Sequence, residues 1–262
     1  MASSPTPPQR SDKPSKPELQ ARLADWLRRV ERTRQVVVSD LLNPPEAAAV
    51  QAYCQRLSTV QWCVWGGYPQ AERVRVALAP AERPLTPADV PLTLLGIAGN
   101  FLFDPASHRD FLGAILGTGV VREKIGDLLV LGERGAQVIV VPELAEFLCT
   151  HLTHVRSVPV TVRVLDWAEL CVPAPRTKTL TTVEASLRLD ALGSAGFGLS
   201  RAKMVDWIKQ GEVRVNWQTI TQPSHLLKTG DVIALRGKGR VVVGDITLTK
   251  KDRYRVELTR FT

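Results

Sequence analysis

An α+β protein built in three parts is the fold class that the sequence predicts. Three observations lead there: helical and strand periodicities alternate along one chain, proline-rich stretches separate them, and the charge is unevenly divided. The chain has 262 residues, room for two or three units at one domain per ~100 to 200 residues. At 44% hydrophobic and 23% charged, its composition is that of an ordinary soluble protein and excludes a wholly disordered chain or a disulfide-stapled miniprotein. The formal charge is +8. Residues 1–175 hold 18 basic and 18 acidic side chains, a balance of zero; residues 176–262 hold 16 and 8, which accounts for all +8. A basic C-terminal region joined to neutral ones points to a polyanion, either nucleic acid or an anionic membrane surface.

Residues 1–17 carry five prolines and four serines with almost no apolar content, and read as a disordered tail. From 18 to 91 the pattern is that of a small mixed unit. Leu19, Leu23, Trp26, Leu27 and Val30 fall at helical spacing, with Arg22, Arg28, Arg29, Arg32 and Arg34 on the other faces. Asn43-Pro44-Pro45 opens a second helix to about Leu57, because proline is tolerated in the first turn. Val60 to Val64 and Val74 to Ala79 read as strands. A second rhythm runs from 92 to 170: a strand in Leu92 to Phe103, a helix from Ala106 to Leu116, a hairpin of Asp127 to Leu131 and Ala136 to Val141, a helix from Pro142 to His151, and a strand from Val158 to Leu165. The order βαββαβ is that of ferredoxin-like domains and of RNA-recognition folds. The middle strands lack aromatics for base stacking, so this sheet is a weak RNA surface.

Cys171 to Thr182 reads as a linker, and residues 183–262 form the last unit. A short helix, Ser186 to Leu192, is expected to break at Gly193, Gly196 and Gly198; Ser200 then caps a helix to Gln210, with Gly211 as its stop. Strands follow at Val213 to Asn216, Asp231 to Leu235, Arg240 to Thr247 and Arg253 to Leu258.

Ser200-Arg201-x-Lys203 places two cations where free backbone amides favour an anion. Cations there oppose the helix dipole, a conflict that an external phosphate would relieve. Arg188, Lys209, Arg214 and Asn216 lie on the adjoining elements, and Arg236-Gly237-Lys238-Gly239-Arg240 is a basic hairpin with no apolar side chain to bury. Arg188, Ser200, Arg201, Lys203, Lys209, Arg214, Asn216, Arg236, Lys238 and Arg240 are the candidate anion-binding residues, which the family resemblance described next implies are RNA-binding. Asp190 is read as structural. Trp207 suits the core, and Trp217 is the better stacking candidate.

Ser186 to Asp190, Leu199 to Lys203, Ile208 to Asn216 and Gly230 to Ile233 together resemble the S4 RNA-binding domain over residues 183–245. The resemblance implies that two helices and the adjoining loop grip structured RNA. Gly66-Gly67-Tyr68, Ala71-Glu72-Arg73, Phe103-Asp104-Pro105, Arg109 to Gly117 and Arg122 to Asp127 extend the similarity to YlmH-like proteins across residues 20–262, most closely to the cyanobacterial and plastid photosystem II S4 domain branch. That resemblance implies a ribosome-associated protein of the large subunit with ribosomal or transfer RNA as partner, a role in translation or its quality control, and a photosystem II link that these residues do not themselves demonstrate.

Chemistry is not expected. Ser200-x-x-Lys203 with Lys228-Thr229-Gly230 is too closely spaced for a penicillin-binding signature and lacks its third part. His108-Arg109-Asp110 has no nucleotide loop to serve, and Gly117-Thr118-Gly119 lacks the third glycine of a dinucleotide fingerprint. His151 and His154 have no further ligand at metal spacing, and Cys54, Cys63, Cys149 and Cys171 form no Cys-x-x-Cys pair and read as free, mostly buried thiols. No catalytic residue, metal or cofactor is proposed. No apolar run reaches the roughly 18 residues of a membrane span, and no signal pattern opens the chain, so a cytoplasmic (or stromal) location without membrane insertion is expected. The alternatives are an RNA-modifying enzyme with an S4 appendage, which needs a catalytic Asp motif or cofactor loop, and a photosystem II assembly factor docked on lipid or an acidic protein, which needs an amphipathic anchor.

Overall fold

Val172 and Pro173 mark the division of the chain into two units. The structure is a computed structural model that describes residues 16–174, 177–235 and 237–261; the segment read as a tail lies outside them except for its last two residues. The first helix, α1 (Lys16–Thr33), begins at those two, since Pro17 in a first turn forfeits no hydrogen bond. Its Leu19, Leu23, Trp26 and Val30 stripe packs on a three-stranded sheet of β1 (Val37–Val38), β2 (Val60–Trp65) and β3 (Arg75–Pro80), ordered β1-β3-β2, together with α2 (Pro44–Cys54). Asn43 caps α2 in a reciprocal box with Glu46. The two-residue β1 is too short for periodicity to show.

The central part follows the expected order: β4 (Thr93–Ala98), α3 (His108–Gly117), β5 (Ile125–Val130), β6 (Gly135–Val140), α4 (Ala145–His151), the small hairpin β7 (His154–Val155) and β8 (Val158–Pro159), and β9 (Thr161–Leu165). The sheet runs β5-β6-β4-β9, all pairs antiparallel, which is the ferredoxin-like arrangement. Two elements are shorter than expected. After Ala98 the chain leaves the sheet and buries Phe101 against Phe111. Pro142–Leu144 forms a 3-10 turn before α4.

Both faces of this sheet are covered. Leu95, Ile97, Val138 and Val140 meet Phe111, Ile115 and Leu148 of α3 and α4 on one side. On the other, Leu94, Ile139 and Leu165 are closed over by Tyr68 with Leu92 and Leu170. Polar contacts fasten that cover. The Asp127 carboxylate accepts from the Tyr68 hydroxyl (2.7 Å) and from the backbone N–H groups of Glu72 (2.7 Å) and Arg73 (2.9 Å). The Arg73 guanidinium donates to the carbonyls of Ile125, Leu41 and Arg122, and Arg75, itself buried, donates to those of Ser39 and Pro91. The two family motifs Ala71-Glu72-Arg73 and Arg122 to Asp127 are thus halves of one joint.

The second unit is a six-stranded antiparallel sheet with two helices on one face. Its elements are β10 (Thr177–Glu184), α5 (Leu189–Phe197), α6 (Arg201–Lys209), β11 (Val213–Val215), β12 (Gln218–Thr219), β13 (Val232–Leu235), β14 (Gly239–Leu248) and β15 (Tyr254–Phe261), ordered β10-β15-β14-β13-β11-β12. Two expectations are corrected here. The segment Thr177 to Thr182, read as linker, is an edge strand paired with β15 along its whole length, because Leu180 alternates with outward Thr179 and Thr181. Helix α5 starts at Leu189 and runs through Gly193 and Gly196 to a left-handed Gly198 (φ +66°). Those two glycines are points of close approach. A Cβ on Gly193 would collide with the Met204 side chain, and one on Gly196 would come 2.8 Å from Val241 Cγ1. All four thiols are free; Cys54 is buried, Cys63 and Cys149 half-buried, and Cys171 exposed, so most are not buried.

Gly67 has φ +99°, and a Cβ there would lie 2.8 Å from both Ile139 Cδ1 and the Trp167 ring. Gly67→Ala is expected to cost about 2 kcal/mol from left-handed strain and overpacking. Thermal unfolding of the full chain should show the first unit melting about 4–8 °C lower.

Candidate nucleic-acid interface

The start of α5 is tied to the segment before β13. Leu189 N–H donates to His225 O (2.8 Å), Asp190 N–H to Pro223 O (3.1 Å), and Leu227 N–H to Leu187 O (2.9 Å). This anchoring puts the Asp190 side chain, only 5% exposed, between two arginines. Arg188 forks onto it with Nε to Oδ1 at 3.0 Å and Nη2 to Oδ2 at 3.1 Å. Arg201 forks from the opposite sense, Nε to Oδ2 at 3.1 Å and Nη2 to Oδ1 at 3.3 Å. The two arginine side chains are 38% and 54% exposed, and each fork spends two of the five guanidinium N–H donors on Asp190. One carboxylate against two cations leaves the cluster at +1. Burial raises the Asp190 pKa, but the hydrogen bonds and charges of Arg188 and Arg201 outweigh it and hold the carboxyl below its usual range.

Ser200 caps α6, its Oγ accepting from Lys203 N–H at 3.3 Å, and the first turn of α6 contains no acidic residue. The positive end of the helix therefore opens beside Arg201 and Lys203, both exposed, with the Lys203 ammonium 5.9 Å from the Trp207 ring. Arg188, Ser200, Arg201 and Lys203 are brought together. Lys209 sits exposed in the last turn of α6, where a cation complements the helix dipole.

The other candidates lie elsewhere. Asn216 (φ +46°) and Trp217 (φ +68°) are the left-handed pair of the β11–β12 turn. The Asn216 amide is committed, donating to Asp231 Oδ1 (2.8 Å) and accepting from Val232 N–H (3.0 Å), so its role is to fix the hairpin. Trp217 and Trp207 are both half-buried, Trp207 against the core. Arg214 and Arg240 point to the face of the sheet opposite the helices, and Lys238 is exposed in the β13–β14 turn. Arg236 lies outside the described residues. Sequence reasoning missed Arg260. Its guanidinium donates to Phe197 O at the end of α5 (3.2 Å) and lies 5.8 Å from the Phe197 ring, with Nε buried and unpartnered. The strand alternation of Val256, Leu258 and Arg260 is the signal that places it inward.

Among the described residues no three His, Cys, Asp or Glu side chains gather as a metal site, and no helix is long and apolar enough to cross a membrane. His151 is occupied with the Phe147 carbonyl (2.9 Å) and ring.

Because its folded pKa is depressed, Asp190 contributes stability in full above the ordinary aspartate value near 4, and this is lost as the pH falls through the lower folded value. Asp190→Asn should therefore cost about 2 kcal/mol at pH 6. The gap between it and the parent, read by denaturant unfolding, should narrow below about pH 4.

Three consecutive regions match described families: residues 15–83 "YlmH, N-terminal", residues 86–169 "Putative RNA-binding domain in YlmH", and residues 187–233 "S4 domain". Ribosome-associated protein quality control protein P2 of Bacillus subtilis is 32% identical over 237 residues, which is 90% of this chain and 91% of that protein. Small ribosomal subunit protein uS4 of Variovorax paradoxus is 44% identical over 45 residues, 17% of this chain and 22% of its own. Cell division protein ylmH from Streptococcus pneumoniae shares the fold over 61% of this chain and 97% of its own, with a TM-score of 0.51 at 21% identity. Since family regions and a relative run along nearly the whole sequence, this chain belongs to the YlmH family of RNA-binding S4-domain proteins.

Proposed function

We propose that the protein binds structured RNA of the ribosome, ribosomal or transfer RNA in the large-subunit setting, and acts without catalysis in translation or its quality control. The observation that carries this reading is the Asp190 cluster: two half-exposed guanidiniums held by one buried carboxylate beside the open N-terminus of α6. Such a site holds its guanidiniums fixed beside a helix N-terminus before any ligand arrives, an arrangement suited to a phosphate. It offers no nucleophile paired with a base, and its one carboxylate is consumed by arginines, so it suits grip rather than reaction. The name of the Bacillus subtilis relative, a ribosome-associated quality control protein, supports the ribosomal setting. A cytoplasmic location goes with that reading. The photosystem II branch is carried by the sequence resemblance and stands as a proposal about lineage, with any assembly role secondary to RNA binding.

A positioned set of cations that reads shape and phosphate makes affinity depend on salt. If roughly five phosphates are neutralised, the log–log slope of affinity against salt should be about −3.5 to −4.5. Arg201→Glu combined with Lys203→Glu should abolish binding of the full chain to ribosomal RNA, and Lys203→Glu alone, which spares the Asp190 ion pairs, should weaken it severalfold while leaving the melting profile intact; retained affinity in both would place the site elsewhere. Crosslinking in native cells followed by sequencing of the attached RNA should recover large-subunit ribosomal or transfer RNA, and a particular messenger recovered instead would overturn the ribosomal reading.

A further inference from the structure

The ten candidate residues do not form one surface. The helices of the second unit pack on the sheet face that carries Val213, Val215, Ile233, Leu235, Val241, Val243, Val256 and Leu258. Period-2 alternation sends Arg214, Ala234, Arg240 and Phe261 to the opposite face, which no helix of this unit covers. Strand register then lines them up. Thr219 faces Arg214, Arg214 faces Ala234, Ala234 faces Arg240, Arg240 faces Phe261, and Phe261 faces Thr177, one residue from each of the six strands.

We propose that this outer sheet face is a second nucleic-acid surface that takes single-stranded RNA, with phosphates at Arg214 and Arg240 and a base stacked at the Arg240–Phe261 pair. The proposal rests on the RNA-binding reading of the chain and adds a second ligand class and a second site to it. Arg214 enters no ion pair or side-chain hydrogen bond among the described residues. Its neighbour across the strand is an alanine, which leaves open space between it and Arg240, about 10 Å away at two strand spacings. The Arg240 guanidinium lies 4.9 Å from the Phe261 centroid, a flat cation over a flat ring that offers a stacking plane to a base.

The charge on this face suits a polyanion at one end only. The adjacent row, Val232, Val242, Thr259 and Thr179, is uncharged. The acids of the face are Glu257, four residues before Phe261 on the same strand, Asp245 in the β14 bulge, and Glu212, which precedes Arg214 by two and has its own partner. Glu257 is about 13 Å from Phe261 at strand rise and lies nearer Arg255, so it stands away from the arginine row; Arg240 has a further partner of its own, and Arg214 is the cation of the row that enters no ion pair among the described residues. Lys238 is exposed in the β13–β14 turn, beside the end of the row. A base-stacking mode also explains why the strip holds an aromatic and small or hydroxyl side chains, which a phosphate-only surface would not need.

The test uses the full chain and a fluorescein-labelled twelve-uridine oligonucleotide, read by anisotropy at low salt, beside a ribosomal RNA hairpin. Phe261→Ala and Arg214→Ala should each weaken uridine binding, Phe261→Ala by about tenfold, and leave hairpin binding within about twofold. Arg201→Ala with Lys203→Ala should do the reverse. Unchanged uridine affinity in both Phe261→Ala and Arg214→Ala, equal loss of both ligands in the helix variant, or no uridine binding by the parent chain would each overturn the proposal. Failure of the parent chain to bind the hairpin strikes the helix-face reading instead, so the two are separable. Arg214→Ala lies outside the core and guards against a Phe261 variant that merely loosens the end of β15.

Discussion

One buried carboxylate organises the interface of the second unit. Asp190 has nearly no access to water, and a buried charge of that kind persists only when paired and hydrogen-bonded. Arg188 and Arg201 satisfy it with four hydrogen bonds, and in doing so are themselves fixed. Arg188 stands immediately before α5 and Arg201 opens α6, so the same contact joins the starts of both helices. A free arginine must give up rotamer freedom to hold a phosphate; these two have already surrendered most of it in folding. Substituting either arginine with lysine would keep the charge and lose the fork.

A different carboxylate does comparable work in the first unit, with the opposite functional result. Asp127 draws Tyr68 and the Glu72–Arg73 backbone onto the ferredoxin-like sheet, and Arg73 completes the seal through three carbonyls. The sheet face that RNA-recognition folds leave open for bases is thereby filled with Tyr68, Leu94, Ile139 and Leu165. Absence of aromatics on the middle strands made that face a poor RNA surface on sequence grounds, and the packing supplies the cause: those positions are selected to fit a cover.

What could be read from the sequence followed the reach of its signals. The βαββαβ order was legible because each element repeats its own period over five or more residues, and the Ser200 cap because Ser–x–x–Lys leads directly into an apolar helical stripe. Strand β10 reads as a linker because Pro173, Pro175 and Lys178 imitate one, although Thr-rich alternation around Leu180 is present. The α5 glycines look like breakers in the sequence, because a lone sequence does not distinguish a glycine that ends a helix from one that lets Met204 or Val241 approach. Site residues were legible as a charge excess but not as surfaces, since the face of a residue in a sheet depends on register with strands far along the chain. Asn216 shows the limit most clearly: its position beside basic residues suggested RNA, whereas its amide is spent on Asp231 and Val232.

Register also changes what the excess charge means. All +8 of the formal charge falls in residues 176–262, yet those cations are not equivalent. Arg188 and Arg201 share one acid and project from the helix side; Arg214 and Arg240 stand in line on the other side of the sheet; Arg260 turns inward to meet a helix carbonyl and an aromatic ring. A uniform cationic skin would attract any polyanion by long-range field alone and would be screened within about 8–10 Å at physiological salt. Cations held by Asp190 or spaced by Ala234 act at contact distance instead, where geometry decides which phosphate can be met. Under the two-surface proposal the same net charge makes selective contact on two faces, and its value lies in the strand register and the one buried acid that fix where it points.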